Sequence, residues 1–256
     1  MNCIASAEPR ITSGQNGALK SALLTTTLES NPFCTRMVRP GSVEYRFCDK
    51  ATGTPTADDA RSGYDEIVAS LQSHRFGVIV GAHGSGKTTL IHSLRTVLRD
   101  AFADVEDVQL SGPPSVATLA RCQHARRVAK QMYSRQNRLP RGGLLVVDGA
   151  EQLSRPGLAW LLRKAKRRGQ AVLATSHWPV RGMTVLHETE VTGALVSSLT
   201  ESLLAEASPK VAKIVRTELG RQDWSTLTNV RDLWFELYDV VQPHVVPLAQ
   251  LSVLQE

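Results

Sequence analysis

The 256-residue sequence has no apolar run approaching the roughly 20 residues that cross a bilayer. Its first residues also lack a basic-then-apolar leader pattern. A transmembrane chain is not expected, and a cytoplasmic location follows. Cysteine is scarce: Cys3, Cys34, Cys48 and Cys122 form no C-x-x-C pair and no zinc-like spacing with histidine, so neither a disulfide scaffold nor a structural metal is implied. Internal repeats and low-complexity tracts are absent too. Acid is the most telling shortage. Residues 112–181 hold 14 Lys and Arg against two acids, Asp148 and Glu151, whereas residues 1–111 hold 11 against 12 and residues 182–256 hold 5 against 10. A net charge of +6 is therefore concentrated in the middle of the chain. Such a stretch is either a solvated helix face or a surface for a polyanion, nucleic acid or an anionic membrane.

Glycine is present where it matters. Gly81-Ala82-His83-Gly84-Ser85-Gly86-Lys87-Thr88-Thr89 fits G-x-x-x-x-G-K-[ST] and lies between an apolar run, Phe76 to Val80, and a helix-like stretch starting at Lys87. Successive backbone N–H groups of such a loop point at an anion, and the following helix adds the positive end of its dipole. Lys87 reaches the β- and γ-phosphates and Thr88 ligates Mg²⁺ in this pattern. ATP and Mg²⁺ are thus the expected cofactors, because no N-K-x-D element for guanine follows the loop. Leu110-Ser111-Gly112 begins like an ABC-transporter signature, but Pro113 and Pro114 replace what should follow.

Residues 1–30 read as a mobile tail and 31–57 as an extended segment broken by Asn31-Pro32 and Arg39-Pro40-Gly41. A helix follows from the capping pair Asp58-Asp59 to about 73. Strands are expected at 75–80, 105–110, 143–147, 170–175 and 183–188, with helices at 87–99, 115–136 and 151–168 between them. That alternation implies parallel β-α-β units with right-handed crossovers. Residues 58–190 therefore form the core. From 191 to 242 the apolar spacing is helical only, ending in a helix near 229–241, and a tail from 243 docks on the body.

Leu144-Leu145-Val146-Val147-Asp148 is an apolar strand ending in an acid, which would hold magnesium through water. Glu151 is the nearest carboxylate able to orient or deprotonate an attacking water, and equally suits a helix N-terminus. Ala171 to Pro179 ends a further strand beside the γ-phosphate if that strand lies between the first and third. Thr175, Ser176 and His177 are its candidate sensors, His177 foremost.

These elements together resemble the additional-strand division of P-loop ATPases, the branch of AAA+ and STAND proteins. Val147-Asp148-Gly149-Ala150-Glu151-Gln152-Leu153 is similar to the NACHT-type D-G-x-D-E-L pattern, and Thr175-Ser176-His177-Trp178-Pro179 to its T-S-R-P segment. Asn229-Val230-Arg231-Asp232-Leu233 resembles the AAA+ lid segment, which implies that Arg231 senses the γ-phosphate. Asn31-Pro32-Phe33 and Arg39-Pro40-Gly41 resemble segments of free-standing bacterial P-loop proteins. The resemblance implies a three-layer α/β fold, a mostly parallel five-stranded sheet ordered 5-1-4-3-2, and a helical lid-like region. Gly149 stands where most AAA+ proteins place their catalytic Glu, and His177 where the STAND pattern has Arg, which implies slow hydrolysis.

Three functions fit. The first is a Mg·ATP-dependent switch or slow ATPase using Lys87, Glu151, His177 and Arg231. The second is a nucleic-acid-associated ATPase or loader using the basic stretch 121–168, with Arg121, Arg126, Arg127, Lys130, Arg163, Lys164, Lys166, Arg167 and Arg168 on phosphates. The third is a small-molecule kinase. The resemblance also admits a homo-oligomer in which Arg163, Arg167, Arg168 or Arg181 completes a neighbour's site.

Overall fold

The structure is a computed structural model that describes residues 31–39, 41–48, 60–111, 118–224 and 229–245. The expected tails at 1–30 and beyond 245, the Asp58-Asp59 cap and the start of the helix expected at 115 lie outside these residues, as does the side chain of Arg121. In chain order the elements are α1 (Thr35–Val38), α2 (Ala60–His74), β1 (Phe76–Gly81), α3 (Lys87–Ala101) and β2 (Val105–Gln109). Then come α4 (Thr118–Arg138), β3 (Leu144–Asp148), a 3₁₀ turn (Ala150–Gln152), α5 (Arg155–Arg168), β4 (Ala171–Ser176) and β5 (Thr184–Thr189). The helices α6 (Gly193–Leu204), α7 (Pro209–Leu219) and α8 (Val230–Val241) follow.

The five strands form one sheet in the order β2-β3-β4-β1-β5, as expected, and every pairing in it is parallel. Alternate side chains of each strand supply two cores. Val78, Val80, Leu145, Val147, Val172 and Ala174 meet α4 and α5 on one face, while Ile79, Leu144, Val146 and Leu173 meet α2 and α3 on the other. The strands are apolar on both faces because helices cover both, which is why they read as continuous runs. Each fully buried Leu, Ile or Val there contributes about 1.5–3 kcal/mol.

A third cluster joins α6, α7 and α8 through Val196, Leu204, Val215, Leu233, Leu237 and Val241. Phe33, far upstream, is buried among them.

Two expectations need correction. The helix expected over 151–168 is two pieces: Ser154 caps α5 by accepting from the Gly157 N–H, and Pro156 stands in its first turn. Proline suits a first turn because it has no N–H to lose, and the cap residue itself is extended, so the chain must break there. The extended segment at 31–57 contains the single helical turn α1.

Candidate nucleotide site

β1 ends at Gly81, and the chain curls back before α3 begins at Lys87. Gly84 and Gly86 lie at φ 70° and 94°, in the left-handed region that favours glycine. A Cβ at Gly84 would come within 1.7 Å of Asn229 Oδ1. Ser85 is buried and ties the loop down: its Oγ lies 2.8 Å from the Ala82 carbonyl and 2.6 Å from Thr189 Oγ1 at the end of β5. Thr189 in turn donates to the Val80 carbonyl at 3.2 Å. The loop is thereby fixed to the neighbouring strand, with the N-terminus of α3 behind it.

Lys87 Nζ donates to the carbonyls of Gly81 and Ala82 at 2.7 and 2.6 Å. Burial lowers its pKa, and the carboxylates of Glu151 and Asp148 pull the other way. Beside it, Thr88 Oγ1 donates to Asp148 Oδ2 at 2.9 Å. The other oxygen, Oδ1, accepts from Thr175 Oγ1 at 2.6 Å, and that hydroxyl accepts from the Gly149 N–H at 2.8 Å. Thr175 is thus the clamp that aims the acid ending β3. It can be so because β4 runs between β1 and β3.

Glu151 and His177 form a second group on the same side. His177 Nδ1 lies 3.2 Å from the Gly81 carbonyl, which places the donor hydrogen on that nitrogen. Its Nε2 lies 3.4 Å from Glu151 Oε1, and its ring centroid 4.0 Å from that of His83. Glu151 Oε2 and His177 Nε2 are buried without a hydrogen-bond partner among the described residues. Buried polar atoms of that kind are rare and point to a missing ligand or water. Glu151 is delivered by Gly149, at φ 89°, where a Cβ would press on the Leu110 carbonyl at 2.9 Å.

All of this opens into one cleft of about 270 Å³. Lys87, Thr88, Asp148, Glu151, Thr175 and His177 line one side. Arg231 and Trp234 of α8 line it from the helical cluster, and Tyr45 and Arg46 from the upstream segment. Val38, Val43, Leu195, Leu199 and Val230 give it an apolar end. The structure therefore brings together Lys87, Thr88, Asp148, Glu151, His177 and Arg231, along with His83 to Thr89 of the loop. Gly81 and Ala82 present carbonyls to Lys87 and do not line the cleft. Ser176 is fully buried and accepts from the Trp178 N–H instead. Arg163, Arg167, Arg168 and Arg181 stand outside the cleft.

Sequence reasoning missed Thr189, Tyr45, Arg46 and Trp234, which carry no motif. It also missed the role of Asn229, although the segment Asn229-Val230-Arg231 was visible. Among the described residues no group of three His, Cys, Asp or Glu could hold a metal alone.

Residues 64–178 match the AAA domain family. The core has a P-loop NTPase-like α/β fold, and the stretch similar to that family spans the loop, Asp148 and the end of β4. No curated protein matches the chain. Among solved structures, the RuvB Holliday junction branch migration motor of Thermotoga maritima is 15% identical over 71% of this chain and 69% of its own, with a TM-score of 0.37. The replication initiator DnaA bound to AMPPCP and single-stranded DNA is 12% identical over 73% of this chain and 62% of its own, with a TM-score of 0.42. PCH-2 of C. elegans is 12% identical over 71% and 66%, with a TM-score of 0.35.

Proposed function

We propose that the P-loop domain binds Mg·ATP and acts as an ATP-dependent switch with slow hydrolysis. The observation that carries this reading is the convergence of Lys87, Thr88 and Asp148 on a cleft that α8 closes with Arg231. The residues fit the ligand. Gly84 and Gly86 let the loop take its left-handed turns, the α3 N-terminus favours anions, and Lys87 holds a half-buried cation beside them. A metal held by Thr88 and Asp148 alone suits Mg²⁺, which keeps waters and takes its other ligands from phosphates. When bound, it would neutralise phosphate charge.

The chain's own residues do the rest. Lys87 turns from the Gly81 and Ala82 carbonyls to the phosphates. Thr175 keeps Asp148 aimed. Glu151 accepts a proton from water, and His177, fixed by the Gly81 carbonyl, stands beside it facing the last phosphate. The apolar end of the cleft receives the base. Arg231 reaches the phosphates from α8, so that the presence of the last phosphate decides how residues 191–242 sit on the 58–190 core. A second copy could add an arginine such as Arg181 from outside, which makes a homo-oligomer part of this proposal.

Nucleotide binding and phosphate release by the intact chain test the reading. Lys87→Ala should abolish ATP binding, and Glu151→Gln should retain binding while slowing phosphate release at least 10-fold. Binding and release that are both unchanged by Lys87→Ala would overturn it.

A further inference from the structure

Several basic residues of the acid-poor stretch have work inside the fold, and setting those aside shows some that do not. Arg135 pairs with Glu106 at 2.7 Å. Arg168 donates to the carbonyls of Asn137 and Leu139. Lys166 and Arg167 stand in the last turn of α5, and Arg138 in that of α4, where cations complement the helix dipole. Arg126, Arg127 and Lys130 on α4 and Arg163 on α5 are among those that remain, with Arg141, Arg155 and Arg181 at the ends of elements or in loops. The first four are all exposed, and among the described residues none has an acidic partner.

Between them lies an aromatic pair. The rings of Tyr133 on α4 and Trp160 on α5 are 3.9 Å apart between centroids, and Lys164 Nζ lies 5.3 Å and 4.8 Å from them. Trp160 is 42% exposed, although an indole of that size contributes most when buried. The helices run side by side, since Gln136 donates to the Leu161 carbonyl and Arg168 to that of Asn137. At 1.5 Å per residue, Arg126 to Tyr133 covers about 10 Å and Trp160 to Arg163 about 5 Å, which makes a strip about 15 Å long. Cations stand at both ends of it and a stacking surface in the middle.

We infer that this seam binds single-stranded nucleic acid. Unpaired cations attract a phosphate backbone, and the exposed Trp160 ring, backed by Tyr133, offers a π-face to unpaired bases, which a duplex keeps stacked within itself. An anionic membrane would use the charges without needing ring stacking. This surface is separate from the nucleotide cleft, so its failure leaves the ATP reading standing, and the reverse holds too.

The test is anisotropy of a labelled oligothymidine of roughly 20 nucleotides with the full chain, without ATP, between about 50 and 200 mM salt. Saturable binding should weaken about 10-fold in Trp160→Ala and stay near wild type in Trp160→Phe, in keeping with base stacking. Lys130→Ala with Arg163→Ala should flatten the log–log salt slope by about 1.4, two phosphates' worth on a single strand. Both substituted side chains are exposed, so the double variant separates binding from folding. No retention at low salt, affinity untouched by either variant, equal affinity for duplex, or Trp160-dependent binding to phosphatidylserine vesicles or to a second copy in place of the oligonucleotide would each overturn the inference.

Discussion

Lys87 is a cation whose protonated form is held by two carbonyls of its own loop, Gly81 and Ala82. Burial lowers its pKa despite Glu151 and Asp148, so it releases its proton below the usual lysine value of about 10.4. A phosphate favours the charged form. ATP affinity should therefore fall as pH rises through the lowered pKa, while Lys87→Arg should not show that fall. Without nucleotide the sign reverses: the unfolded chain holds that proton longer, so stability gains from Lys87 as pH rises through the same window. Binding followed from pH 7 upward checks this, and a wild-type affinity as flat as the arginine variant's would contradict it. Thr175 carries a second prediction. Thr175→Val keeps the shape but leaves the Gly149 N–H and Asp148 Oδ1 without their partner, which should cost about 1–3 kcal/mol in urea unfolding. Thr175→Ser should restore most of it. The sequence marked Thr175, Ser176 and His177 together, since a polar end to an apolar strand is visible in composition. Which of the three faces Asp148 depends on the register of β4 against β3, and that is set only by the packed sheet.

Elements with covered faces were the most legible. β1, β3 and β4 have helices on both sides, so their residues are apolar without interruption and their limits fell within about a residue of the expected ones. The break before α5 is written in Ser154 and Pro156, a cap followed by a first-turn proline, and not in the apolar spacing, so a reading by periodicity passes over it. α8 shows what an element end can do beyond stopping. Asn229 Oδ1 accepts from the Arg231 N–H at 3.0 Å, and its Nδ2 donates to Asp232 at 2.8 Å. The same side chain packs on Gly84, so the cap of the helix that bears Arg231 also touches the phosphate loop. Asn229→Ala should cost about 1 kcal/mol as a lost cap. It should also weaken ATP binding beyond what the cap alone explains, because it separates α8 from the loop. Isothermal titration beside urea unfolding distinguishes the two effects: stability lost with ATP affinity intact would reduce Asn229 to a cap.

Across the whole molecule, residues 31–48 strap the helical cluster to the α/β core. At one end Asn31 Nδ2 donates to the Tyr238 carbonyl and to Gln242 Oε1, and Phe33 is 1% exposed among α6, α7 and α8. At the other end, Tyr45 lies 2.8 Å from His187 Nε2 through its hydroxyl, and its carbonyl accepts from Tyr64. Arg46, the residue after Tyr45, donates to Ser198 and Ser202 of α6. Asn31-Pro32-Phe33 was visible as a motif, but its partners lie about 207 residues away, and no local pattern encodes a contact at that separation. The strap runs past the nucleotide cleft, so it fixes how far α8 stands from the loop. Phe33→Ala should cost about 3–5 kcal/mol, most of it in the helical cluster. Unfolding should then split, with emission of the buried Trp234 changing at lower urea than far-UV ellipticity, because the sheet cores do not contain Phe33. ATP affinity should fall with it, since Arg231 is no longer held over the loop. One coincident transition at the wild-type midpoint with unchanged affinity would mean that the strap merely lies on the surface it joins.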